Sequence, residues 1–258
     1  MQQVICKNCE HIYQGKFCNY CGQKAHTEKL NLHFVIDEIK YTFLHINKGL
    51  LFTAKELFTR PGHTIREFIE GKRVNHYKPI LLVFVLAGIE GLLNHYLPIK
   101  EMMGKVSPLS SSKQAKIPFK IDPYSVFEWT SSHYAILELL FIPLVSFCTW
   151  LAFKKWGYNY IENIILNCFL AGQRMIFGII VFPIIYLCSG NYKLFIITSL
   201  LQFGTYGFSI WGLLQLYKDK NIGNFILRFL LFSVLLCIVF LVLFMIVFFA
   251  FLYYYNLL

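Results

Sequence analysis

The sequence predicts an all-α membrane protein with about five transmembrane helices, preceded by amphipathic helices and a small cysteine-bearing head. The chain of 258 residues is 57% hydrophobic and only 15% charged, with a mean hydropathy of +0.54. This composition is typical of polytopic membrane proteins and not of soluble domains. We divide the chain into a head (1–27), an amphipathic basic juxtamembrane region (28–78) and a membrane domain (79–258).

The head is predicted to be a zinc ribbon. Two C-x2-C knuckles each place two thiols on one tight turn, and together they can complete a tetrahedral metal site. Four sulfur ligands leave no position for water, so a zinc ion held there would be structural. Two disulfides are the competing interpretation, and they would require an oxidising compartment. Phe17 and Tyr20 are expected to cover the metal. The predicted ligands are Cys6, Cys9, Cys18 and Cys21.

The juxtamembrane region combines apolar periodicity with positive charge. Its spacing predicts one amphipathic helix at 30–48 and two shorter ones that flank Pro61-Gly62, a pair that breaks helices. Basic amphipathic segments beside a membrane usually lie on its surface, with their cations on anionic headgroups. The other interpretation is a structural clamp on the first span. The cations predicted to face lipid or a partner are Arg60, Arg66, Lys72, Arg73 and Lys78.

Five apolar runs are each long enough to cross a bilayer, which takes about 20 residues of helix. The last run is long enough to tilt or to project beyond the hydrocarbon. Between the first two runs lies a loop at 99–133, rich in serine and proline, which is predicted to be extracytoplasmic. The predicted spans are residues 79–98, 134–153, 163–188, 193–217 and 224–254.

The distribution of charge predicts the orientation of the chain. Half of the 24 lysines and arginines lie in residues 1–78, and the loops at 154–162 and 218–223 add more, whereas 189–192 has none. The positive-inside rule then predicts a cytoplasmic N-terminus and an extracytoplasmic C-terminus, although loop 99–133 carries five lysines. The same rule accounts for the net charge of +10 without nucleic-acid binding. A cytoplasmic head also keeps its thiols reduced, as zinc binding requires.

Ionisable residues inside the spans are candidate functional residues, because a charge in lipid is costly unless it is paired. Glu90 and Arg174 lie at similar depth in spans 1 and 3, which predicts an ion pair between them. His95 and Glu138, on spans 1 and 2, are predicted to form a second pair. Such pairs either hold helices together or lie on a pathway for a solute or a proton.

Catalytic motifs are absent from the sequence, which contains no glycine-rich phosphate loop, no G-x-S-x-G and no H-E-x-x-H. His63 and His76 are the only candidates for catalysis near a membrane surface, and neither has an obvious carboxylate partner in the sequence. The sequence therefore predicts a protein that is not an enzyme.

The head and the segment after it resemble an uncharacterised family of bacterial membrane proteins. That family has an N-terminal zinc ribbon, a Pro-Gly…Gly-Lys-Arg…Pro juxtamembrane motif and a multi-span helical region. The resemblance covers roughly the first third of the chain, and it implies membership and topology without a chemical activity. The matching residues are Cys6, Cys9, Cys18, Cys21, Gly22, Pro61, Gly62, Gly71, Lys72, Arg73 and Pro79.

Two functions are compatible with these features. The first is a non-enzymatic protein of the bacterial inner membrane, whose zinc ribbon and basic juxtamembrane region bind a protein partner, lipid or a second copy of the chain. The second is a channel or transporter for a small solute or ion, with Glu90 and Arg174 on its pathway.

Overall fold

The computed structural model describes residues 3–27, 31, 49–95, 129–130, 132–187 and 192–256. The helix predicted at 30–48 and almost all of loop 99–133 lie outside these residues. The described elements are two strands, β1 (Val4–Ile5) and β2 (Ile12–Tyr13), and the helices α1 (Leu50–Thr59), α2 (Pro61–Glu70), α3 (Pro79–His95), α4 (Tyr134–Phe153), α5 (Tyr160–Leu187), α6 (Tyr192–Leu216) and α7 (Ile222–Asn256).

Three segments of the described chain are long and apolar enough to cross a membrane, namely Ile136–Trp156, Tyr160–Ile184 and Ile222–Ala250. Pro79–Leu93 is a shorter apolar helix. The chain therefore has the character of a membrane protein, and helices α3 to α7 coincide with the five predicted apolar runs to within a few residues.

Helix α5 is the centre of the bundle, because α3, α4 and α6 all pack against it. A buried polar network joins it to α4. The Asn167 side chain donates hydrogen bonds to the hydroxyl oxygens of Ser146 and Thr149, each at 3.2 Å. These contacts satisfy polar groups that would otherwise be costly inside an apolar bundle.

Side-chain contacts also fix the direction of α3. Leu82, near the start of α3, lies against Gly172, and Glu90, further along, lies against Gly178. Helices α3 and α5 are therefore parallel, and α3 begins beside the middle of α5. Helix α3 therefore does not cover the first half of α5, and another element can pack there.

The remaining helices alternate in direction. Gly212 of α6 contacts Leu170 of α5, and the ring centres of Phe208 and Phe177 are 6.3 Å apart. Helices α5 and α6 are therefore antiparallel. The Arg228 guanidinium of α7 donates to the carbonyl oxygen of Ala152 at the end of α4, at 2.7 Å. Helices α3, α5 and α7 thus run one way, and α4 and α6 run the other way.

Helices α1 and α2 form a hairpin, residues 50–70, that packs beside the first half of α5. Proline at the first position of α2 is compatible with helix initiation, and Gly71 ends α2 in the left-handed conformation, with φ of 116°. Leu57, Ile65 and Phe68 are buried in the main hydrophobic cluster. Helices α5 and α6 pack against the hairpin, while Leu51 of α1 stays 84% exposed.

Candidate functional site

Both cysteine knuckles of the head have the same backbone geometry. The amide after the second cysteine donates to the carbonyl oxygen of the first, from Glu10 to Cys6 and from Gly22 to Cys18, both at 2.8 Å. This turn requires a positive φ, which is 62° at Glu10 and 76° at Gly22. Glycine adopts this conformation without steric cost, whereas glutamate does so less readily. The missing glycine of the first knuckle therefore does not prevent the turn.

The four knuckle cysteines bring their sulfur atoms together. All four Sγ atoms lie within 4.8 Å of one another, with 3.5 Å between Cys6 and Cys21 and 3.6 Å between Cys9 and Cys18. A tetrahedral zinc site with Zn–S bonds of about 2.3 Å spaces its sulfurs about 3.8 Å apart. The thiols are free and not joined in disulfides. The cluster could therefore bind a metal ion.

Tyr13 is the aromatic residue that packs on this cluster. It is buried together with Cys6 and Cys18 in a small hydrophobic cluster of the head. Phe17 and Tyr20 are instead 56% and 79% exposed, so the expectation that they cover the metal is wrong. The pairing of Val4 with Tyr13 across the two strands turns Tyr13 toward the sulfurs.

We expect purified protein to contain one zinc ion per chain, because four close thiolates form a complete donor set. Elemental analysis of reduced protein prepared without chelators measures this. Cys18→Ser should lose the metal, while Cys237→Ser, which changes an exposed cysteine of α7, should retain it. Absence of zinc from the unmodified protein would contradict the assignment.

Arg174 forms its ion pair with Glu138 and not with Glu90. The Arg174 Nη2 atom donates to Glu138 Oε1 at 2.7 Å, and the guanidinium lies 5.8 Å from the centre of the Tyr206 ring. The predicted Glu90–Arg174 pair is therefore corrected. Glu138 lies on α4 at the level of Arg174.

Glu90 lies near the Arg174–Glu138 pair, and one of its carboxylate oxygens has no hydrogen bond among the described residues. Its Oε2 atom is buried and has no partner among the described residues, and its other oxygen lies against Gly178. Glu90 is within electrostatic range of both Glu138 and Arg174. The predicted His95–Glu138 pair cannot be placed, because the His95 side chain lies outside the described residues.

The cations predicted to face lipid or a partner have contacts within the chain. Arg60 forms ion pairs with Glu56 and Glu67, the second at 3.4 Å, and Lys72 pairs with Glu67 at 3.6 Å. Lys78 also has an interaction partner. Arg60 thereby connects α1 with α2, which favours the interpretation of this region as a clamp.

The two remaining cations of this set bind backbone carbonyls. Arg66 donates to the carbonyl oxygens of Gln215 and Leu216 at the end of α6, where unpaired carbonyls and the helix dipole favour a cation. Arg73 donates to the Phe68 carbonyl oxygen at 3.1 Å, and its guanidinium lies 5.6 Å from the centre of the Phe68 ring.

Two glutamines of the bundle form hydrogen bonds with backbone groups near the turn of the hairpin. The Gln173 side chain of α5 donates to the Leu57 carbonyl oxygen at 2.7 Å, and the Gly62 amide donates to Gln215 Oε1 at 3.2 Å. Sequence analysis missed these roles. A glutamine in an apolar helix is the available signal, because it must find a partner, but its partner is far away in the sequence.

His76 is half-buried next to the hairpin. Its ring lies 5.3 Å from Phe52 and 6.2 Å from Phe68. Burial holds the pKa of His76 below its ordinary value, against the opposite influence of Glu56 and Glu67, so the imidazole is neutral at neutral pH. Its surroundings are those of a packing residue.

Comparison with known families finds one match. Residues 47–89, which include the hairpin and most of α3, match a family described as a protein of unknown function (DUF3667). The head lies outside the matched range. No curated protein and no solved structure matches the chain.

Proposed function

We propose that this protein is a non-enzymatic integral protein of the bacterial inner membrane, whose zinc-binding head recruits a protein partner or a second copy of the chain. The observation that carries the proposal is the surface of the head. Ile5, Ile12, Phe17 and Tyr20 are between 56% and 79% exposed. Exposed apolar and aromatic side chains on so small a domain are typical of binding surfaces.

The contacts of the hairpin agree with a binding role for the head. Its cations contact the chain itself, so the hairpin joins the head to the bundle and the head is left as the surface for binding. Structural zinc would give the head its fold, because a segment of this size cannot bury enough apolar surface alone. Contacts of the hairpin with anionic lipid headgroups would be secondary in this arrangement.

Site-specific photocrosslinking in cells tests this function. A photoreactive amino acid at Phe17 or Tyr20 should yield adducts with protein, because both side chains are exposed. The adducts should disappear when Cys18→Ser removes a zinc ligand, whereas a photoreactive residue at Leu241, exposed on α7, should be insensitive to that change. Adducts that persist without zinc, or none at all, would contradict the proposal.

A channel or transporter is the second candidate, and Glu90 favours it. A buried carboxyl oxygen without a hydrogen-bond partner, close to the Arg174–Glu138 pair, is the kind of intramembrane group found on ion and proton pathways. Flux measured in proteoliposomes distinguishes the two functions. This candidate requires a flux that Glu90→Gln abolishes.

We further propose five spans, α3 to α7, with the N-terminus cytoplasmic and the C-terminus extracytoplasmic. The alternating directions of the five helices support an odd number of crossings, and Lys154, Lys155, Lys218 and Lys220 lie at the end where α5 and α7 begin. Reporter domains fused at Gln2 and after Leu258 are expected to report opposite compartments. Two reports from one compartment would require an even number of spans.

A further inference from the structure

The head meets Gly71, the residue that follows the hairpin, through Lys7 of the first knuckle and through Gln23, two residues after the second knuckle. The Gln23 side chain, only 5% exposed, donates to the Gly71 carbonyl oxygen at 2.8 Å. Lys7, inside the first knuckle, and Thr27 also lie next to Gly71. A Cβ atom at position 71 would be 2.7 Å from Thr27 Oγ1 and 3.2 Å from Lys7 Cδ. Lys7 or Thr27 would therefore have to move if residue 71 carried a Cβ atom.

Gly71 is also the residue that ends α2. Its amide donates to the carbonyl oxygens of Glu67 and Phe68 at 3.1 and 3.2 Å, which is how a left-handed residue closes a helix. Phe68, one turn earlier, packs edge-to-face on Phe169 of α5, with ring centres 5.2 Å apart. A single helical turn thus separates the head from the centre of the bundle.

The position of Gln23 depends on the second knuckle. The Cys18 amide donates to the Gln23 carbonyl oxygen at 2.7 Å, so the turn that presents the Cys18 thiol also places the Gln23 side chain. The buried hydrophobic residues of the head are Cys6, Tyr13 and Cys18. A domain with so small a core depends on its metal for its fold.

We propose that metal binding by the head and seating of the hairpin in the bundle are thermodynamically linked through Gly71, so that the head is a metal-dependent clamp on α2. The inference rests on the proposed metal site. When the metal leaves, Gln23 and Lys7 lose their fixed positions, and the end of α2 is released. Linkage is reciprocal, so weakening the contact at Gly71 must also weaken metal binding, although Gly71 is not a ligand.

The experiment uses the full chain in nanodiscs and Zn²⁺ as the probe. Competition with a chromophoric chelator measures zinc affinity for the unmodified protein and for Gly71→Ala and Gln23→Ala. Both variants are expected to bind zinc at least about fivefold more weakly. Gly157→Ala is the matched control for the first, since Gly157 has φ of 104° and open space around its Cβ position. Gln14→Ala, at an exposed glutamine of the head, is the control for the second.

Hydrogen exchange provides the reciprocal measurement. Stripping zinc should accelerate amide exchange at 61–71 and leave α4 unchanged. If Gly71→Ala fails to fold, Gln23→Ala still tests the linkage, because the Gln23 substitution introduces no backbone strain. One zinc per chain, held equally tightly by both variants, would overturn the linkage and leave the metal site intact. No zinc in the unmodified protein would overturn both.

Discussion

Gly62→Ala is expected to displace the hairpin from the bundle. A Cβ atom at this position would lie 2.3 Å from the Leu216 amide nitrogen and 2.4 Å from both Gln215 Cβ and the Gly212 carbonyl oxygen. Two of these atoms belong to the backbone of α6 and cannot move aside as the end of a side chain can. Overpacking of this kind costs roughly 3 kcal/mol, or a fall of about 6–12 °C in the melting temperature of a chain this size.

Thermal unfolding in detergent, with trypsin cleavage within residues 60–72, measures the effect. Gly88→Ala in α3 is the matched control, because a Cβ there meets nothing within 4 Å and alanine is the better helix former. The control should melt at the same temperature as the unmodified protein or higher. A Gly62→Ala variant that melts normally and keeps its hairpin protected would show that the close contact with α6 does not form.

Removing one partner of the Arg174–Glu138 pair is expected to destabilise the bundle strongly. Glu138→Gln or Arg174→Gln leaves the other charge unpaired in a partly buried site, and the cost can reach the roughly 3–5 kcal/mol of breaking a fully buried pair. Replacing both, as Glu138→Leu with Arg174→Met, should recover most of the loss, because two apolar residues can substitute for a buried pair.

The control for this cycle is Glu90→Gln. Glu90 has no ion pair with Arg174, so neutralising it should lower the free energy of unfolding much less than neutralising Glu138. A double-mutant cycle on detergent-solubilised protein supplies the coupling energy. Simple addition of the Glu138 and Arg174 effects would mean that the two side chains are not paired.

The helices and the clustering of the four head cysteines could be predicted because both signals are local. An apolar run of about 20 residues indicates a helix by its own length, and the helix at 134–153 matches its predicted bounds. Two C-x2-C knuckles likewise bring their own thiols together on adjacent turns. These features need no knowledge of the neighbouring helices.

The contacts between helices could not be predicted in the same way. Depth along a span does not give the rotation of a helix about its axis, so the choice of Glu138 over Glu90 as the partner of Arg174 was open. An apolar helix face indicates burial but not whether lipid or protein buries it. The packing of the hairpin against α5 and α6 therefore does not follow from its sequence pattern.

The two glutamines that satisfy the hairpin backbone also constrain the order of assembly during translation. Residues 50–70 leave the ribosome long before Gln173 and Gln215 have been synthesised, and the hairpin cannot form its bonds to them until both exist. Contacts of such long sequence separation form late, after the entropy of closing the intervening chain has been overcome. The hairpin must therefore dock as one of the last steps of folding, after α5 and α6 have been synthesised.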